Sequence, residues 1–320
     1  MKRKSYILLA LSILLPLSVS CEKNGTFGKA DDSTQFIVAT KSSDEGDRIG
    51  QFSILFVRTA DSIVVSAKKI ILDKPETVIK DTVRNLPNGS YFVKVVTNWE
   101  SLEKCGDTLE MLNLIPGGKF TSLMAERVTR CNPDSLSAQA LQPYSGTGSL
   151  TVGENSALEL DIERLNTAFT VNVHNDNTVK LVVDTLYFSK FNPSAVYIFN
   201  HGGKLPADVG FRALPGSAEA DTLEAHTEAT VFSGYVFESD GAGYTLNMKV
   251  SIPGTDARAT ITGIPVYVTD PMTGKPSVLN GIDRSGRINV KVNVYYNEDK
   301  NIFKFSTADW SSEDINIIID

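Results

Sequence analysis

The side chains that most often carry catalysis or bind metals are scarce in this chain. Its 320 residues include only three histidines and three cysteines. His174, His201 and His226 lie far apart, and no His-Glu-x-x-His pair, Gly-x-Ser-x-Gly nucleophile turn or phosphate-binding glycine loop is present. The sequence therefore predicts no catalytic residue, no metal site, no cofactor and no small-molecule substrate, and we expect a protein that is not an enzyme.

Cys21 has the sequence context of a lipid attachment site. Three basic residues at 2–4 precede an apolar run at 6–17, which is shorter than the ~18 residues of a convincing membrane span. Small residues then lead to Cys21, as in bacterial lipoprotein signals, although Ser18 stands where leucine is usual. We predict that residues 1–20 are a signal peptide and that lipidated Cys21 attaches the mature chain to a membrane. An ordinary secretory signal is the alternative.

The charge of the chain argues against a nucleic-acid partner. The formal net charge is −7, and removal of residues 1–20 takes away three positive side chains and no acidic ones. No lysine- or arginine-rich run occurs in the rest of the chain, whereas proteins that bind nucleic acids carry a basic patch. The mature chain is therefore predicted to be acidic, with its lipid as the one membrane attachment.

Cys105 and Cys131 remain as a possible disulfide once Cys21 is acylated. An exported protein meets an oxidising compartment, where paired cysteines usually form disulfides. Closing a loop of this length adds about 3 kcal/mol of stability in the chain-entropy model. Two separate buried thiols are the alternative, and no further ligand stands at zinc-site spacing.

Alternation of apolar and polar residues with a period of two dominates the chain and predicts half-buried antiparallel strands. It is clearest at 158–163, 169–174, 244–252 and 287–296. We predict further strands at 35–40, 51–59, 62–72, 90–98, 180–189, 195–200, 230–238, 259–269 and 301–306. Only 99–113 and 120–130 are fair helical candidates. The pattern indicates an all-β protein.

A segment rich in Gly, Ser and Thr at 142–156 predicts the boundary between two domains. We assign residues 21–33 to a flexible tether, 34–150 to an N-terminal β-sandwich and 157–320 to a C-terminal β-sandwich. Gly146 and Gly148 are interpreted as parts of the linker. No repeat of fixed period is visible.

Three segments together resemble a known family. Residues 86–93 (LPNGSYFV) resemble the strand entry of fimbrillin-type sandwiches, and 158–173, with Arg164 before an alternating strand, resembles the opening of their second domain. Trp310 followed by 315–319 resembles their closing strand. With the lipoprotein signal, the chain resembles the FimB-like anchor subunits of type V fimbriae. The resemblance implies two tandem transthyretin-like antiparallel β-sandwich domains, and fimbrial structural subunits as partners.

The resemblance also implies a role and a mechanism. The family's anchor is a lipidated subunit at the base of a fimbrium, which it fixes to the outer membrane and limits in length. Related polymerising subunits lose an N-terminal strand, whereas a lipid-anchored chain would keep its strand at 35–40 and act as a strand donor. Ile315, Ile317 and Ile319 alternate as a donor strand requires. The alternative is that they close the second domain.

Two other roles stay open. One is a surface lipoprotein that binds a glycan or another ligand, and the other is an accessory or tip subunit of the same fimbrium. Asp-Ser and Asp-Thr dipeptides recur along the chain. They resemble the O-glycosylation sequon of the bacteria that build these fimbriae, or they serve as turn residues that lead into strands.

Overall fold

We describe the chain from a computed structural model. It describes residues 33–40, 47–103, 110–121, 126–128, 141–153, 157–193, 195–199, 211–215, 221–240, 244–269, 275–300, 302–307 and 315–318. Residues Ser33–Asp320 group into one compact unit. Nearly all of the described residues that have regular structure are in β-strands, so the prediction of an all-β sandwich protein is confirmed.

In the N-terminal half, residues 33–164, the described residues form eight strands. They are β1 Ser33–Thr40, β2 Ile49–Arg58, β3 Val64–Glu76, β4 Val78–Arg84, β5 Gly89–Thr97, β6 Glu126–Val128, β7 Tyr144–Val152 and β8 Ala157–Arg164. Seven of them form one sheet in the order β3-β2-β5-β7-β8-β1-β4. β7 and β8 share only the pairs Tyr144↔Arg164 and Ser145↔Glu163. The sheet therefore folds over between these strands and encloses an apolar core.

The C-terminal half, residues 166–318, contains the other strands. They are β9 Asn166–Asn175, β10 Leu181–Pro193, β11 Ala195–Tyr197, β12 Phe211–Pro215, β13 Asp221–Leu223, β14 Glu228–Phe237, β15 Ser239–Asp240, β16 Thr245–Ser251, β17 Arg258–Pro265, β18 Tyr267–Thr269, β19 Pro276–Val278, β20 Gly281–Ile282, β21 Arg287–Asn297, β22 Ile302–Thr307 and β23 Ile315–Ile318. Its two main sheets have the orders β12-β10-β16-β17, with β13 also on β10, and β14-β9-β21-β22-β23.

The two halves repeat one connectivity. β1 lies between β8, to which it is parallel, and β4, to which it is antiparallel. β9 lies in the same way between β21, which is parallel to it, and β14, which is antiparallel. The opposite sheets also correspond, since β3-β2-β5-β7 matches β12-β10-β16-β17. The hairpin of β22 and β23 has no counterpart in the described N-terminal half and extends the second repeat beyond β21.

β7 lies where the sequence predicted a linker, and that prediction is wrong. Gly146 and Gly148 lie within this strand, close to β8. A Cβ added at Gly146 would lie 2.8 Å from Ile162 Cγ2 and 3.1 Å from Asp161 O. The glycines therefore mark a close approach of two strands rather than a flexible connection. The division into two domains stays a prediction.

The sheet β3-β2-β5-β7 is covered on both faces. Phe52, Ile54 and Phe56 of β2 belong to the core enclosed by the N-terminal half. Leu55 and Val57 point to the opposite face and belong to a larger cluster that includes the core of the C-terminal half. This double burial explains why β2 is buried at almost every position and has consecutive apolar residues at 54–57 rather than strict alternation.

The predicted strands agree with the structure better than the predicted helices do. Burial alternates as expected in β8, β9 and β21. The predicted helix at 120–130 is wrong in part, because Glu126–Val128 is β6, which pairs with β11. Within 99–113 the described residues form only a four-residue helix, α1 Glu100–Glu103, and a 3-10 turn, Glu110–Asn113.

Candidate functional site: the strand edges and the arginine junction

β1 fills a gap between two strands that do not pair with each other in the described sheet. Residues 33–39 pair with 78–84 of β4, and 35–40 pair with 157–162 of β8. Phe36 is 1% exposed, and its ring stacks on Phe52 at 5.9 Å between centroids. The predicted strand at 35–40 is therefore confirmed. Taking β1 out would open a long groove and uncover this aromatic contact.

β23 is an edge strand in the described part of the C-terminal half. Ile315 pairs with Phe305 and Ile318 with Ile302, so residues 315–318 run antiparallel along β22. β22 is its only partner among the described strands. Ile319, the third residue of the predicted donor set, lies outside the described residues. The backbone of Ile315 and Ile317 is thus placed in this chain's own sheet, and donation to another chain stays a prediction.

All three cysteines lie outside the described residues. The predicted lipid site at Cys21, together with residues 1–20 and nearly all of the tether, and the predicted disulfide between Cys105 and Cys131 therefore stay predictions. His201 also lies outside. His174 and His226 belong to the described residues, in which no group of three or more His, Cys, Asp or Glu could hold a metal ion. No helix among the described residues is long and apolar enough to span a bilayer.

A buried ion pair lies where the N-terminal half meets the C-terminal half. Arg164 Nη1 lies 2.9 Å from Asp47 Oδ1, and these side chains are 2% and 0% exposed. The Tyr144 hydroxyl donates to the same carboxylate oxygen. Burial, and then the hydrogen bond to Asp47, raise the pKa of Tyr144 far above its ordinary value. Tyr144 therefore keeps its proton and acts as a donor at this site.

Arg164 also binds the C-terminal half. Its Nε donates to Asn166 O at 3.0 Å, and its Nη2 donates to Gly286 O at 3.0 Å. Its backbone N–H donates to Ser285 Oγ at 2.7 Å. The guanidinium lies 5.0 Å from the ring centre of Tyr235. One arginine thus joins the end of β8, the start of β9 and the turn before β21.

A second buried arginine makes the reciprocal contact. Arg284 of the C-terminal half is paired with Glu238, and both side chains are 4% exposed. Its Nη1 donates to Ile198 O at 2.8 Å and to Ser145 Oγ of the N-terminal half at 3.3 Å. Each half therefore holds one arginine with its own carboxylate and extends it to the other half. We call Asp47, Tyr144, Arg164, Glu238 and Arg284 the arginine junction.

Three side-chain amides extend the arginine junction through the interior. Asn98 Nδ2 donates to Gln142 O at 2.6 Å, and Asn98 Oδ1 accepts from Gly50 N at 2.8 Å. Gln142 Oε1 in turn accepts from Asn166 Nδ2 at 2.7 Å. These bonds satisfy backbone groups that burial would otherwise leave without water, which makes the arrangement rigid.

Sequence reasoning found one of the five residues of the arginine junction. Arg164 belongs to a segment that resembles the start of a fimbrillin second domain, although the resemblance assigned it no contact. Asp47, Tyr144, Glu238 and Arg284 were missed. Each partner is distant in sequence, and a single charged residue beside a strand is ordinarily solvent-exposed. No local pattern could have indicated these pairs.

Comparison with known proteins gives the fold a context. No family model matches the chain, and no curated protein matches it. Three similar solved structures are those of two candidate cell adhesion proteins, from Parabacteroides distasonis and Bacteroides eggerthii, and of the tip fimbrial protein Mfa3 from Porphyromonas gingivalis with a C-terminal truncation. The chain has the fold of these fimbrial and cell adhesion proteins.

The likeness is structural and extends over most of each chain. The Parabacteroides protein has a TM-score of 0.56 and 13% identity, and the match covers 83% of this chain and 88% of that one. For the Bacteroides protein the values are 0.52, 11%, 82% and 86%. For Mfa3 they are 0.53, 12%, 87% and 100%. At such identities the match shows the fold alone, and the FimB-like resemblance stays a prediction.

Proposed function

We propose that the chain is a lipid-anchored fimbrial subunit. It attaches a fimbrium to the outer membrane through Cys21, limits the length of the fibre, and joins its structural subunits by β-strand complementation. The observation that carries the proposal is the place of β1. This strand is paired on both edges, and the predicted tether at 21–33 would connect it to Cys21.

The position of β1 gives the anchor its direction of assembly. Cleavage that released β1 would also release the chain from its lipid, so the strand stays in its groove. A chain whose groove is filled has no place there for a foreign strand and joins the fibre by donating one. The last described strand, β23, is the candidate donor. It is paired along one edge, so only its hydrogen bonds to β22 would have to break before it could pair with another chain.

The net charge, the fold and the buried ion pairs support a structural role rather than catalysis. The chain is acidic, its fold is shared with fimbrial and cell adhesion proteins, and its buried charged residues serve the joining of two halves. We therefore place the protein at the cell surface, at the base of a fimbrium, as a protein that is not an enzyme.

The lipid attachment is tested at Cys21. Cys21→Ala is expected to release fimbriae, or the protein itself, into the medium, as immunoblots of cell and medium fractions would record. Ser18→Leu is the matched control, because it brings the signal closer to the usual lipoprotein pattern and should leave the protein on the cell. Cell-bound fimbriae of normal length in the Cys21→Ala strain would contradict the proposal.

The similarity to Mfa3, a tip protein, keeps a tip or accessory role as a second candidate. The two roles place the protein at opposite ends of the fibre. Immunogold labelling of intact fimbriae separates them, since label at the cell-proximal end supports the anchor and label at the free end supports the tip. Binding to a polysaccharide array would instead favour a glycan-binding lipoprotein.

A further inference from the structure

The start of β1 lies at the end of the N-terminal half that is remote from the arginine junction. Ser33 pairs with Arg84, whereas Thr40 pairs with Ile162, two residues before Arg164. We call the end with Ser33 and Arg84 the proximal pole. Any tension that enters from the tether is applied at this pole, because residue 32 is bonded to Ser33.

The last described strand, β23, ends at the side of the C-terminal half that is remote from the arginine junction. β9 and β21 run side by side away from the arginine junction, from the pair Arg287↔Ala168 to the pair Val294↔Asn175. β22 runs back toward the arginine junction, and β23 runs away from it again. Ile318 therefore pairs with Ile302, which also pairs with Asn297 at the end of β21. We call the end with Asn175, Asn297 and Ile318 the distal pole.

We propose that the chain is built to carry tension from the proximal to the distal pole, with β1 loaded in shear. This inference rests on the proposed function, in which the lipid holds one end and the fibre pulls on the other. A pull on Ser33 along β1 shears two ladders at once. The hydrogen bonds are perpendicular to β1 in the antiparallel ladder with β4 and slanted in the parallel ladder with β8. All of these bonds resist together, whereas a sideways pull would break them one pair at a time.

The arginine junction transmits this tension between the halves. The covalent link between β8 and β9 is Leu165 alone. Around it, Arg164 binds Gly286 O, and Arg284 binds Ser145 Oγ. Separating the halves would take these arginines from partners in a buried site, which is costly for an ionised group. The two halves should therefore yield in one event rather than one after the other.

The pulling direction is tested by single-molecule force spectroscopy on the full mature chain. In the end-to-end geometry the N-terminus is joined to an azide-bearing residue at Asp299, which is exposed in the turn between β21 and β22 at the distal pole. In the second geometry the N-terminus is joined to such a residue at Asn88, an exposed position at the proximal pole. The first geometry shears β1 and the second peels it from one end. We expect a several-fold higher rupture force in the first. Equal or lower force there would overturn the inference.

The role of the arginine junction is tested in the end-to-end geometry. Arg284→Met should split the single rupture into two events, one for each half, whereas Lys180→Met, which removes an exposed pair with Glu224, should leave one event. An Arg284→Met trace identical to that of the unaltered chain would overturn this part. If Arg284→Met does not fold, the comparison of pulling directions still decides the inference. Neither result depends on lipid attachment, which the Cys21 experiment tests separately.

Discussion

Arg164 and Asp47 form a buried ion pair although 117 positions separate them in the chain. The pair joins the end of β8 to the β1–β2 connection, two residues before β2 begins. Tyr144 binds the same Asp47 oxygen, so three segments of the N-terminal half converge on one carboxylate. These contacts hold the end of β8, where the chain enters the C-terminal half, in a fixed position.

Removing the cation of this pair should be strongly destabilising. Arg164→Met leaves Asp47 buried without its positive partner, and we expect a loss of about 3–5 kcal/mol in the free energy of unfolding. Lys180→Met is the control, because its pair with Glu224 is 56% and 63% exposed and should contribute at most about 1 kcal/mol. Urea unfolding of both variants measures the difference. Similar losses in the two variants would contradict the assigned role.

The ion pair between Lys68 and Asp81 should give a pH-dependent contribution. Burial raises the pKa of Asp81, but the hydrogen bonds from Lys68 and Thr82 N outweigh it, and the net pKa lies below the ordinary value of 3.8. A carboxyl group with a lowered pKa stabilises the fold above its ordinary pKa and loses that contribution as the pH falls through the folded-state pKa.

Asp81→Asn should therefore be less stable than the unaltered chain at pH 7, by under about 1 kcal/mol because the pair is partly exposed. The difference should close as the pH is lowered below 3.8. Lys68→Met should follow the same course, since it removes the other partner. Thermal unfolding at a series of pH values measures both, and a difference that persists in acid would rule out the ion pair as its source.

Gly146 should not tolerate a side chain. A Cβ there would lie 3.1 Å from the backbone oxygen of Asp161, which cannot move without shifting β8, and we expect Gly146→Ala to cost about 1–3 kcal/mol. Gly153→Ala is the matched control, because a Cβ there would meet no atom within 4 Å. Chemical unfolding compares them. Equal stability of the two variants would show that β7 and β8 can separate at no cost.

Deleting residues 314–320 tests β23 as the donor strand. The core residues described for both halves lie at positions up to 305, so we expect the truncated chain to fold and keep its circular dichroism spectrum. Its binding to purified fimbrial subunits, measured by pull-down, should be lost. A folded truncation that binds these subunits as the full chain does would leave β23 with the simpler role of closing its own sheet.

Much of the strand pattern could be predicted from the sequence, whereas four of the five residues of the arginine junction could not. β9 and β21 each have one face buried, so apolar and polar residues alternate along them and the strands can be recognised from the sequence. β4 was not predicted, and β7 was missed because Gly146 and Gly148 are required by a neighbouring strand that local propensity does not report. The partners of Arg164 could not be predicted, because they become neighbours only when the sheet folds over between β7 and β8.

The repeated connectivity has a consequence for the geometry of a polymer. β9 is the counterpart of β1, but β8 precedes it through a single residue and β10 follows it, so the chain itself holds β9 at both ends. Among the described strands, only β1 has no other strand before it in the chain. With β1 kept in its groove and β9 held at both ends, neither repeat offers a groove to a foreign strand. A subunit that joins the fibre only by donating β23 has one point of attachment, so the fibre is linear there, without branches at this subunit.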